Sequence, residues 1–226
     1  MATLPPELLD FMADLAENNE RDWFKANKGR YDAQVKEPAL GFIRAIQGPP
    51  MDLSPHFVAS DKGNGGSLFR IYRDTRFSKD KSPYKTHTGM QFRHAQASRD
   101  VHAPGFYIGL EPGNCMLGAG VWHPERSALL KARQAVVERP DDFLAAKAAG
   151  LDAGWERMGE SLKRAPKGFD PEHALIEDLR YKDWALSLAL PEEKLGTPDL
   201  EQWVCERFEE AMPWMRWLGE ALELPV

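Results

Sequence analysis

Cysteine is scarce in this chain. Cys115 and Cys205 are the only two in 226 residues, too few and too far apart for a disulfide framework or a zinc knuckle, so a reducing cytoplasm is the expected compartment. Long apolar runs are missing too. Nothing approaches the roughly 20 residues needed to cross a bilayer. Met1 to Pro6 carries no basic cap ahead of an apolar stretch, so neither a membrane partner nor a secretory leader is expected. The chain has no internal repeat and no low-complexity tail. It also lacks a Walker loop, a Gly-x-Ser-x-Gly elbow, a His-Glu-x-x-His pair and a dinucleotide fingerprint. No cofactor and no reaction are named by any of these signatures.

What is present is a local reversal of charge. The chain carries a formal charge of −6, yet residues 69–85 hold Arg70, Arg73, Arg76, Lys79, Lys81 and Lys85 against only Asp74 and Asp80. That segment attracts anions while its surroundings repel them. Arginine supplies a rigid fork for carboxylate or phosphate and lysine a mobile point charge. The acidic remainder argues against a dedicated duplex-DNA binder, whose domain would be basic overall.

The pattern along the chain changes once. Residues 5–47 read as helices. Leu8, Phe11, Met12 and Leu15 recur at three- and four-residue steps, Asn19 with Asp22 resembles a capping box, and Pro38 interrupts a later helix. Gly48-Pro49-Pro50 ends that part, and Lys62-Gly63-Asn64-Gly65-Gly66 reads as a mobile loop. Period-two alternation follows in the stretches around Phe69, Met90, Phe106 and Leu117, separated by turn residues such as Glu111-Pro112-Gly113-Asn114. Helices return after His123-Pro124-Glu125, with a late strand over Trp184 to Leu190 and a C-terminal helix that Pro213 kinks or restarts. The expectation is a single α+β domain over 1–226, with a helical part at 1–50, an antiparallel meander of four or more strands within 66–122, and a mainly helical remainder at 123–226.

Parity assigns two faces to the meander. Phe69, Ile71, Met90, Phe92, Phe106, Ile108, Leu110, Leu117, Ala119 and Val121 form a core face. Arg70, Tyr72, Gln91, Arg93, Tyr107, Gly109, Met116, Gly118, Gly120 and Trp122 form the other. Glycine within a strand marks close approach by a ligand or by another packed element, and a covering helix is the plain alternative.

The expected ligand contacts are therefore Arg70, Tyr72, Arg73, Arg76, Lys79, Lys81, Lys85, Arg93 and Tyr107. Asp74, Tyr84 and His87 are candidates for proton transfer, without a catalytic assignment. Asp74, Asp80 and His87 carry donors suited to a divalent ion, but their spacing is not diagnostic, and pairing of both acids with neighbouring cations is expected instead. His102 and His123 read as caps or surface residues. Lys163-Arg164-Ala165-Pro166-Lys167-Gly168 is a second basic patch, read as a solvated turn.

Several stretches carry a resemblance: Asn18 to Lys28, Arg70 to Lys85 with its run Arg-Asp-x-Arg-Phe-Ser-x-Asp-Lys-x-Pro-Tyr-Lys, Pro104 to Tyr107, Gly118 to Trp122 and Leu162 to Asp170. On these the chain resembles a bacterial family of uncharacterised proteins, domain of unknown function 2461. The resemblance implies one domain and no activity. Three functions stay open: binding of a small phosphate- or carboxylate-bearing ligand or substrate at residues 70–85, binding of single-stranded nucleic acid on the Tyr/Arg sheet face, and a non-catalytic module that docks an acidic protein.

Overall fold

The computed structural model describes residues 3–47, 54–63, 65–97 and 104–226. Gly48-Pro49-Pro50, Asn64 and His102 lie outside the described residues. The fold is α+β. A six-stranded antiparallel sheet is flanked by N-terminal and C-terminal helices, with strand order β1-β2-β3-β4-β6-β5. The strands are β1 (Phe57–Val58), β2 (Thr88–His94), β3 (Gly105–Leu110), β4 (Met116–Val121), β5 (Glu156–Met158) and β6 (Trp184–Ala189). Consecutive strands β1 to β4 form the meander; β6 then joins β4, and β5 closes that edge.

The register places the apolar parity on one side. Met90 pairs with Ile108 and Ile108 with Leu117; Phe92 pairs with Phe106 and Phe106 with Ala119. These side chains are fully or almost fully buried. Past β4 come α5 (Arg126–Glu138), α6 (Pro140–Asp152) and α7 (Ile176–Leu179), and two C-terminal helices, α8 (Leu200–Glu210) and α9 (Met212–Ala221), cover these side chains. Phe208 stacks on Phe106 with ring centroids 4.5 Å apart, and α9 packs on β4. Pro213 restarts the helix rather than kinking it, because its missing N–H is tolerated in a first turn.

Beyond β6 the core becomes tryptophan-rich. Trp184, Trp214, Trp217 and Phe143 pack with centroids 5.0–6.3 Å apart. Arg157 on β5 pairs with Leu186, so it faces this core. Its guanidinium lies 4.3 Å from the ring centre of Tyr181, 4.9 Å from Trp184 and 4.8 Å from Trp214. Burial pulls its pKa down to about 10.

The N-terminal helices are α1 (Glu7–Glu17), α2 (Arg21–Ala26), α3 (Lys28–Tyr31) and α4 (Glu37–Ile46). A π-helical turn, Asp32–Lys36, joins α3 to α4. The widened turn makes room for Pro38, whose ring would collide with the carbonyl of Gln34 in a regular α-helix. The capping-box reading of Asn19 and Asp22 does not hold. Glu20 occupies the N-cap of α2 without a side-chain bond, and Asn19 is used elsewhere.

Candidate functional site

Residues 67–72 continue the β1 edge along β2, through Phe69 N–H to the Gly89 carbonyl and Gln91 N–H to the Ser67 carbonyl, both at 2.9 Å. Only an isolated bridge, Leu68 to Met90, forms there. This register corrects one parity assignment. Leu68 sits opposite the core residue Met90, so Phe69 turns to the outer face and meets Tyr107 at 5.9 Å instead of joining the core. The chain then folds back on itself, with Arg73 N–H to Pro83 O (2.9 Å), Lys85 N–H to Ile71 O (2.8 Å) and a Tyr72–Tyr84 bridge.

Asn19 anchors this hairpin to the helices. Its Nδ2 donates to the Tyr84 carbonyl at 3.0 Å and its Oδ1 accepts the Tyr84 N–H at 3.1 Å. Phe24 of α2 stacks on Tyr84 with centroids 4.2 Å apart.

The tip of the hairpin neutralises much of its own charge. Arg73 pairs with Asp80, and Arg76 holds Asp74 through Nη2–Oδ2 at 2.6 Å and Nε–Oδ1 at 2.9 Å. Lys81 donates to the Thr75 carbonyl at 2.8 Å. Hydrogen bonds from Arg76 pull the Asp74 pKa down to about 2, and those from Arg73 and Ser82 hold Asp80 well below the carboxylate range. Lys79 is exposed at the tip.

Arg70 has different company. It lines a cleft of about 240 Å³ together with Lys28, Asp32, Lys36 and Lys62, walled by Tyr31, Phe69 and Tyr72. The one carboxylate in this lining, Asp32, is paired with Lys28 at 2.6 Å. Among the described residues no carboxylate forms an ion pair with Lys36, Lys62 or Arg70. The cleft therefore keeps an uncompensated positive charge. Asp32 and Lys36 bracket the π-turn, and Lys62 with Gly63 comes from the glycine-rich loop, which folds down onto the cleft. Gly66 of that loop has no space for a side chain: a Cβ would lie 2.1 Å from the Lys62 carbonyl oxygen.

Two further depressions adjoin this cleft. On the side of α2, an open hollow of about 760 Å³ shares Tyr72 and carries Arg21, Lys25, Arg73 and Lys81 against Glu20 and Asp22. On the outer sheet face, a groove of about 370 Å³ shares Phe69 and is lined by Tyr107, Met116, Gly118, Trp122 and Met158. Three glycines of this face, Gly89, Gly109 and Gly118, make room for one ring and not for a helix. A Cβ at Gly89 would lie 2.5 Å from the Tyr107 hydroxyl, at Gly109 2.8 Å from its ring, and at Gly118 3.3 Å from its Cβ. Burial pushes the Tyr107 pKa up to about 12, so the phenol stays neutral. Lys85 Nζ and the Arg93 guanidinium lie 5.2 and 6.0 Å from the centre of the Phe69 ring, beside the groove.

Residues 7–217 match the conserved hypothetical protein family DUF2461. The chain belongs to that family. No curated protein and no solved structure matches it.

The DUF2461 chain does not gather its three proton-transfer candidates. Asp74 is exposed and held by Arg76, Tyr84 is buried against Phe24 and lines the hollow, and His87 lines none of the three depressions. Burial lowers the His87 pKa and raises that of Tyr84. No cluster of three metal-ligating side chains occurs among the described residues. The second basic patch lies apart, with Lys167 and Gly168 against α5 (Arg126–Glu138). His123 stands beside Trp122 in a left-handed backbone conformation (φ 51°), its N–H donated at 2.7 Å to the fully buried Asp183. Sequence reading missed Lys36 and Lys62. Pro38 two residues past Lys36 and the glycines after Lys62 were the available signals, since both distort the backbone toward the cleft.

Proposed function

We propose that this protein binds a small anionic ligand or substrate, phosphate- or carboxylate-bearing, at the cleft where the basic segment meets the helices. Arg70 is the cation of residues 70–85 that lines it, and Lys36 and Lys62 complete the grip. The observation that carries this reading is the charge balance of the lining: three cations without an ion-paired carboxylate, and a single acid already engaged by Lys28. An arginine fork with two mobile ammonium groups suits a phosphate or carboxylate. Arg73, Arg76 and Lys81 shape the hairpin through their bonds to Asp80, Asp74 and Thr75, and in this reading they tune the field more than they touch the ligand. Among the described residues no helix is long and apolar enough to cross a membrane. Cys115 and Cys205 are free, which supports a cytoplasmic setting.

A thermal-shift panel of nucleotides, sugar phosphates and dicarboxylates at near-physiological salt tests the proposal. A ligand at 100 times its Kd adds about 2.7 kcal/mol, a rise of roughly 5–10 °C for a chain of this size. The rise should vanish in Arg70→Ala and in Lys36→Ala while both variants melt like the parent. A panel without any shift, or a shift unchanged in both variants, overturns the cleft as the site.

A further inference from the structure

The distribution of exposed aromatic side chains singles out one track on the surface. Among the described residues the large exposed aromatics are Tyr72 (58% exposed), Phe77 (95%) and Trp122 (43%). Tyr72 and Phe77 belong to the basic hairpin, and Trp122 lines the groove that Phe69 shares with the basic cleft. The three depressions lie side by side and share walls, Phe69 between groove and cleft and Tyr72 between cleft and hollow. Cations recur along the way: Lys85 and Arg93 over Phe69, then Arg70, Lys36 and Lys62, then Arg21 and Lys25. A single small anion uses one of these stations. A flexible polymer that alternates negative charges with flat apolar groups uses all of them.

Resting on the anion-binding reading above, we propose that the natural ligand is single-stranded nucleic acid. Its phosphates lie over Lys36, Lys62, Arg70 and Lys85, and its bases lie on Tyr72, on Trp122 and in the groove floored by Tyr107. Base stacking on aromatic rings beside a positive track is how such strands are held without base pairing. A duplex is disfavoured on two grounds. The groove holds about 370 Å³, room for an unstacked base and not for a rigid helix. The chain is also −6 overall, so a stiff polyanion leaving the track meets repelling surface, whereas a flexible strand follows the cations. An acidic protein segment would satisfy the cations but would leave the aromatic groove unused.

Fluorescence polarisation with labelled 12-nucleotide single strands of uridine or thymidine is the test, beside a duplex of equal length, uridine monophosphate and polyglutamate as competitors. Trp122→Ala and Tyr72→Ala should each weaken strand binding by roughly tenfold, with Trp122→Phe retaining it. With about four phosphates neutralised, raising salt from about 50 to 200 mM should cost roughly fiftyfold. Arg70→Glu should abolish binding. Equal binding of duplex, equal competition by polyglutamate, or indifference to both aromatic variants overturns the proposal. Uridine monophosphate binding as tightly as the strand, with loss in Arg70→Ala, leaves the small-anion reading standing and removes this one. Binding of neither strand nor any small anion removes both.

Discussion

Two regions of this molecule are made of the same residue types and put them to opposite use. In the C-terminal half, Arg157 lies over Tyr181, Trp184 and Trp214, largely buried against β6 and α9. In the hairpin edge, Arg70, Tyr72, Arg76 and Phe77 face outward along a cleft and a loop. The difference is where the sheet is covered. On the core face, β5 ends the sheet beside α9, and the aromatic surface is removed from water, which makes it a stability device. On the β1 edge the chain folds back from the ladder into the hairpin, where α2 packs on one side and leaves aromatic and cationic groups exposed along a cleft. An arginine among aromatic rings is therefore no evidence of a binding site until its burial is known.

The contrast can be broken most forcefully with one substitution made twice. Trp184→Ala should cost about 3–5 kcal/mol by leaving a cavity in a fully buried cluster, a fall of roughly 10 °C or more in Tm. Trp122→Ala should cost about 1 kcal/mol or less, as expected of a surface position. Comparable losses in thermal denaturation would mean that the groove is part of the core.

A smaller effect is expected where the two layers are tied. Asn19 makes two hydrogen bonds to Tyr84 across 65 positions of sequence. Asn19→Ala should lower stability by about 1–2 kcal/mol in urea unfolding, two bonds at about 1 kcal/mol each. It should also weaken anion binding, because the hairpin carrying Arg70 and Lys85 loses its brace while every cation stays in place. An unchanged affinity would show that the cleft forms without it.

The smallest expected effect is a pH dependence. Burial lowers the His87 pKa below its ordinary value of 6.5, so the unfolded chain takes up its proton first as pH falls. Stability conferred by the neutral imidazole is complete above about 6.5 and drains as pH drops toward the folded-state value. Comparing Tm at pH 7.5 and 5.5 should show a slightly steeper loss for the parent than for His87→Gln. An NMR titration placing the His87 pKa above 6.5 would reverse that sign.

Much of the architecture was legible because period and punctuation agree. The alternations at 90–92, 106–110 and 117–121 predicted three strands and both faces of each, and the register confirms them. The 69–71 alternation misled at Phe69, since a segment that bends out of the ladder has no obligation to keep its parity. The basic segment was visible as charge, and so was the pairing of Asp74 and Asp80 with neighbouring cations, but which arginine takes which acid was not. That Arg73 meets Asp80 and Arg76 meets Asp74 depends on the hairpin's turn geometry. Lys36 and Lys62 were harder to read for a related reason: Pro38 and the glycines after Lys62 mark a bend in the backbone but not that it ends beside Arg70, 34 and 8 residues away.

The ring of Tyr107 rests in a hollow that three strands vacate for it, at Gly89 on β2, Gly109 on β3 and Gly118 on β4. Those four positions pack as one unit. A side chain gained at Gly89 or Gly109 forces the ring of Tyr107 to shift, one at Gly118 crowds it, and a smaller residue at 107 relieves all three at once. In a lineage that keeps the groove they should stay fixed together, and in one that abandons it they should drift together.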